Sequence, residues 1–192
     1  MGIAQLSFAE LRGFMTADGT ARTAAGPASL LSTQGLFTVP ADWFALGKKM
    51  RVRAWGRCRW TVTAANAITL DVRFGAAVVF NGGAMLTNTA VGTTAAAQKS
   101  WKFEADLICR AVGGSANMIG SGRFESMCLL GSGAALASGN MSAALPWNSP
   151  PVVGANFNSA ASQVVDLQVT WTGTLTADTT IQCHMFEVEL QN

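Results

Sequence analysis

The sequence has little of what enzymatic chemistry and metal binding require. Histidine occurs once in 192 residues, tyrosine is absent, and only 12% of the residues are charged, about half of the usual share. A single histidine excludes metal sites built from several histidines. No G-x-S-x-G nucleophile turn, Walker loop or calcium-binding loop is present. We therefore predict a protein that is not an enzyme and that has no cofactor and no metal.

Long apolar runs and a secretory leader are also missing. No apolar run reaches transmembrane length, and the first residues lack the basic and apolar regions of a signal peptide. We therefore expect a protein made in the cytoplasm, without membrane contact. The net charge of +2 is too small to indicate nucleic-acid binding, so no specific nucleic acid is expected as a partner.

The cysteines show no metal-binding or redox spacing. None belongs to a C-x-x-C pair, and His184 follows Cys183 but points to the opposite face of a predicted strand. Cytoplasmic proteins rarely contain disulfides, so we expect four small, buried thiols. They are Cys58, Cys109, Cys128 and Cys183.

What the chain does have is a two-residue hydrophobic period. In residues 48–63, Met50, Val52 and Ala54 fall on one parity, whereas arginines and threonines fall on the other. Successive side chains of a β-strand point to opposite faces, so this segment is predicted to be a long strand with one buried face. The same period recurs in residues 68–74, 101–111 and 165–175. In residues 181–190 the phase slips, which predicts a β-bulge near Met185.

About eight such strands, without a convincing helix, predict an all-β fold. Long strands joined by hairpins and by long excursions favour a jelly roll or a related Greek-key β-sandwich, with a closed up-and-down barrel as the alternative. We assign residues 35–192 to this sandwich domain. Residues 1–34 are assigned to an extended N-terminal arm that packs on a neighbouring molecule, with a frayed terminus as the alternative. The arm's candidate contact residues are Leu6, Phe8, Leu11 and Phe14.

Two further features are candidate protein-binding sites. The first is the row of Arg51, Arg53, Arg57 and Arg59, which either faces a partner or forms ion pairs with acidic residues on neighbouring strands. We favour the ion-paired interpretation. The second is Trp147 in the Pro-rich loop of residues 144–151, which either binds a partner or attaches the loop to its own domain.

Five segments across residues 36–192 together form a familiar pattern: residues 36–44, 50–59, 101–111, 122–124 and 180–190. They resemble small structural proteins of tailed bacteriophages, many of which are jelly-roll proteins that decorate the capsid. The resemblance implies a decoration (cement) protein of the virion, assembled in the host cytoplasm, that binds and bridges subunits of the major capsid protein. It also implies a homo-oligomer, which we expect to be a trimer. The alternative is the receptor- or glycan-binding head of a tail fibre, or another minor tail protein.

Overall fold

The computed structural model describes residues 9–60, 66–87, 98–131, 140–173, 175 and 179–191. These ranges form twelve β-strands and one short 3-10 turn at Thr33–Gly35. Among the described residues, no helix has the length and apolar content needed to cross a membrane. The strands are β1 (Ala9–Phe14), β2 (Gly26–Ser29), β3 (Phe37–Val39), β4 (Lys49–Arg59), β5 (Ala67–Phe74), β6 (Ala77–Asn81), β7 (Met85–Thr87), β8 (Lys99–Ala111), β9 (Asn117–Gly131), β10 (Asn140–Leu145), β11 (Gln163–Thr172) and β12 (Thr180–Gln191).

The strands form two antiparallel sheets that pack together as a β-sandwich. The first sheet has the order β1-β12-β4-β8-β9-β10. In the second sheet β11 lies between β5 and the short strands β2 and β3, and β6 and β7 pair with the other side of β5. Strand β7 also pairs with the end of β9, so it joins the two sheets at one corner. The predicted all-β sandwich is therefore confirmed. The described ranges contain more than the eight strands expected because several are only three to six residues long.

The core lies between the two sheets and follows from the two-residue period. In β4 the side chains of Met50, Val52 and Ala54 are fully buried, and they alternate with half-buried arginines. From the second sheet, Leu70 and Leu167 are equally buried. Burying apolar surface contributes about 25 cal/mol per Å², so this alternation determines which face of each strand turns inward.

Residues 9–34 do not form an arm separate from the core, in contrast to the prediction. β1 pairs with β12, and the chain continues along that edge, where the Gly19 N–H donates to the Cys183 carbonyl at 2.8 Å. β2 pairs with β11, and the following Leu30 is fully buried. β1 is only six residues long and β2 consists of Gly, Pro, Ala and Ser, so these strands carry almost no periodic signal. Leu6 and Phe8 lie outside the described residues.

The predicted bulge in the last strand is present. The register of β12 against β4 shifts between Cys183 and Met185, so that His184 is the extra residue. Next to the bulge, Gly56 has no side chain and the indole of Trp101 lies against its Cα. The Trp101 Nε1–H donates to the carbonyls of Arg57 and Gln182, both at 3.1 Å. The bulge and the glycine together make room for this buried ring.

Candidate protein-interaction surface

The outer face of the first sheet carries rows of alternating charge, which we call the ionic ladder. Antiparallel pairing places Glu187, Arg53, Glu104 and Arg123 side by side on four neighbouring strands. Arg53 lies 3.6 Å from Glu104 and 3.5 Å from Glu187, measured between nitrogen and oxygen. The ladder comprises Arg51, Arg53, Lys102, Glu104, Asp106, Arg123, Glu125, Glu187 and Glu189.

The charged side chains of the ionic ladder neutralise one another. The Arg51 Nε–H donates to Asp106 at 2.6 Å, and this bond raises the pKa of Arg51. Burial acts to raise the pKa of Glu104, but Lys102, Arg53 and Arg51 together bring it below its usual value. Arg51 and Arg53 therefore take part in the ion-paired sheet that the sequence favoured, and they do not form a free cationic strip.

Arg57 and Arg59 differ from the other two arginines of the row. The Arg57 Nη1 donates to Ser100 Oγ at 2.8 Å, and no carboxylate among the described residues pairs with it. Arg59 is half-buried and lies opposite Thr180 in β12. Of the four arginines, Arg51 and Arg53 therefore belong to the ladder.

The same face carries large apolar side chains on four strands of the first sheet, and we call these residues the apolar band. Phe14 on β1 is 68% exposed, Met185 on β12 is 60% exposed and Met127 on β9 is 55% exposed. Trp55 on β4 is half-buried and lies opposite Met185 in the register. Because these residues stand on the outward parity of their strands, the band faces away from the core.

Trp55 lies between two shallow depressions in this face. One, of about 490 Å³, is lined by Arg57, Ser100, His184 and Met185, among others. The other, of about 380 Å³, includes Lys102, Glu125, Met127 and Ser142 in its lining. Each depression thus presents an apolar floor with a polar or charged margin, which is the usual layout of a binding surface.

The structure brings together only part of the predicted contact set. Phe14 lies in the apolar band, and Arg57 borders it. The backbone of Leu11 pairs with Leu190, whereas its side chain lies outside the described part of the chain. His184, predicted to be a surface histidine, is half-buried, with its Nδ1 3.0 Å from the Asp18 carboxylate.

Trp147 does not serve as an exposed anchor. It is half-buried against the core of its own domain, and its backbone N–H donates to the Gly82 carbonyl at 2.8 Å. A β-carbon added to Gly83 would meet the Trp147 backbone, so the two segments are in close contact. The structure therefore agrees with the alternative interpretation, in which this tryptophan attaches the loop to its own domain.

Sequence reasoning missed the two methionines of the band. Met185 shares the parity of the buried residues Ile181 and Cys183, and it turns outward only because the bulge inserts His184 before it. Met127 lies on the same parity as Arg123 and Glu125, so its outward orientation could have been predicted from the sequence. The phase slip revealed that a bulge exists but not which residue is the extra one.

Comparison with known proteins finds no family model and no curated protein that matches the chain. Function is therefore inferred from the surfaces that the fold presents. Aromatic residues, methionine and arginine are enriched in protein interfaces, and Trp and Arg dominate their binding energy. The apolar band with Arg57 has this composition, which makes it the best candidate for a protein-binding site.

Proposed function

We propose that this protein is a non-enzymatic capsid decoration (cement) protein of a tailed bacteriophage, which binds and bridges major capsid subunits. The observation that supports this function is the apolar band, in which Phe14, Met185 and Met127 are more than half exposed and Trp55 is half-buried, on the face that also carries the ionic ladder. Large exposed apolar side chains grouped on one face are typical of protein-interaction surfaces. The resemblance of residues 36–192 to phage structural proteins supports the identity of the partner.

We infer that the sandwich is a jelly roll with additions. One sheet contains β1-β12-β4-β8 in that order, and the other contains β2 with β3, then β11, β5, and β6 with β7. If each pair of short strands counts as one, and β9 and β10 are left out of the count, the first sheet contains the first, eighth, third and sixth strands. The second sheet then contains the second, seventh, fourth and fifth strands. Such alternation between sheets is the jelly-roll arrangement, and it supports this assignment. Strands β9 and β10 extend the first sheet beyond it.

The binding mechanism is multivalent bridging. A band of four apolar side chains gives each subunit a modest contact, but a homo-oligomer presents several copies of it at once. A trimer on a symmetric capsid lattice would therefore hold several capsid subunits together, although each separate contact is weak. Assembly takes place in the host cytoplasm, and the protein then remains in the virion.

Binding to capsids that lack this protein tests the proposal. Phe14→Ser and Met185→Ser each remove a side chain that is more than half exposed, so folding should be unaffected. We expect each to weaken co-sedimentation with capsids about tenfold or more, because a buried apolar side chain contributes about 1.5–3 kcal/mol. Leu46→Ser is the matched control, since Leu46 is 69% exposed and lies outside the band. Unchanged binding by both band variants would exclude the band as the contact surface.

A second candidate function is the binding of a host-surface glycan by a tail-fibre head. The supporting observation is the half-buried Trp55 between two depressions with Arg57, Ser100 and Glu125 at their margins. An indole face bordered by hydrogen-bonding groups is a suitable platform for a sugar ring. Quantitative mass spectrometry of purified particles separates the candidates. A copy number comparable with that of the major capsid protein supports decoration, whereas a few copies per particle support the tail fibre.

A further inference from the structure

Two of the buried cysteines meet at one end of the first sheet. At this end of the sheet, the last pair between β4 and β8 is Cys58 with Lys99. The last pair between β8 and β9 is Trp101 with Ser126. β9 continues past Ser126 to Cys128, and no residue of β8 pairs with this part of β9. The two thiols are therefore neighbours in space although 70 residues separate them in the chain.

The contacts between these cysteines are close. The Cys128 thiol donates to the carbonyl oxygen of Cys58 at 3.6 Å. Ser126 Oγ lies 3.3 Å from Cys58 Sγ and accepts a hydrogen bond from the Cys128 N–H at 3.0 Å. Ser126 thus holds both cysteines in place.

The other two cysteines have no such neighbour. The Cys109 thiol donates to the Ala111 carbonyl at 3.3 Å, and the Cys183 thiol donates to the Met185 carbonyl at 3.2 Å. Each bond is local to its own strand, and neither sulfur contacts a second thiol within the described ranges. Cys109 and Cys183 therefore serve as internal controls for the reactivity of the pair.

We propose that Cys58 and Cys128 form a peroxide-sensitive dithiol, which closes to a disulfide linking β4 to β9. This property goes beyond the proposed binding function and does not depend on it. Hydrogen peroxide is a suitable oxidant because it is small and the site is almost fully enclosed. Cys58 is fully buried, whereas Cys128 is 9% exposed, so Cys128 is the residue more open to a peroxide.

The reaction consumes one peroxide for each disulfide. The Cys128 thiolate, whose proton has passed to solvent, attacks one peroxide oxygen. The O–O bond breaks, Cys128 becomes a sulfenic acid, and the departing hydroxide takes a proton from solvent to become water. The Cys58 sulfur then attacks the Cys128 sulfur, the S–O bond breaks, and the second hydroxide leaves as water with the Cys58 proton. Each sulfur loses one electron, and the peroxide gains two.

The protonation preferences of the two thiols agree with these roles. The neighbouring Cys58 thiol lowers the pKa of Cys128, and the positive charge of Lys99 adds to this effect. The neighbouring Cys128 thiol, together with burial, raises the pKa of Cys58. Cys128 is therefore the attacking thiolate, and Cys58 is the thiol that resolves the sulfenic acid.

The experiment treats the intact protein with hydrogen peroxide, alkylates it under denaturing conditions and maps its peptides without reduction. We expect a linked Cys58–Cys128 peptide with two hydrogens fewer, reversal by dithiothreitol, and full alkylation of Cys109 and Cys183. The disulfide should raise the midpoint of thermal unfolding by about 5–10 °C. Four alkylated cysteines, or a Cys128 sulfinic acid without any linked peptide, would overturn the proposal.

Two variants make the result specific. Cys128→Ser should abolish the linked peptide and the peroxide-induced rise in the unfolding midpoint. Cys109→Ser is the matched control, because it also removes one buried thiol and should retain both effects. Thermal unfolding of each untreated variant shows whether it is folded. A linked peptide between any other pair of cysteines in the intact protein would also contradict the proposal.

Discussion

Gly56 allows the most direct test of how the core of the first sheet is built. A β-carbon at this position would lie 1.9 Å from the Gln182 carbonyl oxygen and 2.9 Å from Cε2 of Trp101. The carbonyl belongs to the backbone of the neighbouring strand, so it cannot move away as a flexible side chain can. Gly56→Ala must therefore displace β12, the Trp101 ring or both.

The cost of this displacement follows from two contributions. Forcing an extra methyl group into a packed core costs about 1–3 kcal/mol. Moving the indole also breaks the hydrogen bonds from Trp101 Nε1, which adds about 1 kcal/mol. We therefore expect Gly56→Ala to lower the free energy of unfolding by about 2–4 kcal/mol and the melting temperature by about 4–16 °C.

Urea denaturation, followed by tryptophan fluorescence, measures this change in the free energy of unfolding. Gly114→Ala is the matched control, because a β-carbon at Gly114 meets no atom within 4 Å and its φ is not positive. That substitution should be neutral or stabilising by up to about 1 kcal/mol, since alanine restricts the unfolded chain. If Gly56→Ala proves as stable as Gly114→Ala, the proposed packing of Trp101 against β4 is wrong.

Three further substitutions test the core, a buried charge and the ionic ladder. Phe157→Ala should lower the free energy of unfolding by about 3–5 kcal/mol in urea denaturation, because the ring packs against Phe74 with a centroid distance of 4.8 Å. Burial raises the pKa of Asp71 above its unfolded value of 3.8, so ionisation of this carboxyl in the folded protein opposes folding as pH rises above about 4. The free energy of unfolding of Asp71→Asn, measured relative to wild type by urea denaturation, should therefore be greater at pH 7 than at pH 4. The same difference between variant and wild type at both pH values would refute this. Asp106→Asn removes the exposed partner of Arg51 and should cost less than about 1 kcal/mol, with a smaller effect in 1 M salt; a larger loss would mean that the ladder contributes to stability.

Local alternation made the strands predictable, because it depends only on neighbouring residues. In β4, the sequence correctly assigned Met50 to the core and Arg51 to the outer face. The ion-paired interpretation of Arg53 was also accessible, since acidic residues occupy the outward parity of other strands. Its partner Glu187 was not, because that contact depends on β12 pairing with β4 across most of the chain.

The N-terminal strands and the loop that contains Trp147 show which features could not be predicted from the sequence. β2 consists of Gly, Pro, Ala and Ser, and its place in the sheet is determined by pairing with β11 rather than by its own residues. Trp147 had two interpretations of similar weight, because sequence does not tell whether a loop folds back onto its own domain. Only the course of the chain past Gly82 distinguishes them.

The division of the outer face into ladder and band bears on how this face would bind a partner. Removing paired ions from water is costly, and their mutual attraction repays that cost only when the geometry is very good. Several ladder contacts, such as the 3.8 Å separation between Arg51 and Glu104, are too long for this. In the proposed interface the ladder ions would therefore stay hydrated, and the apolar band would supply the desolvated contact. Arg57 lies at the border between them without a carboxylate partner among the described residues, so it is the cation best placed to pair with an acidic group on the partner.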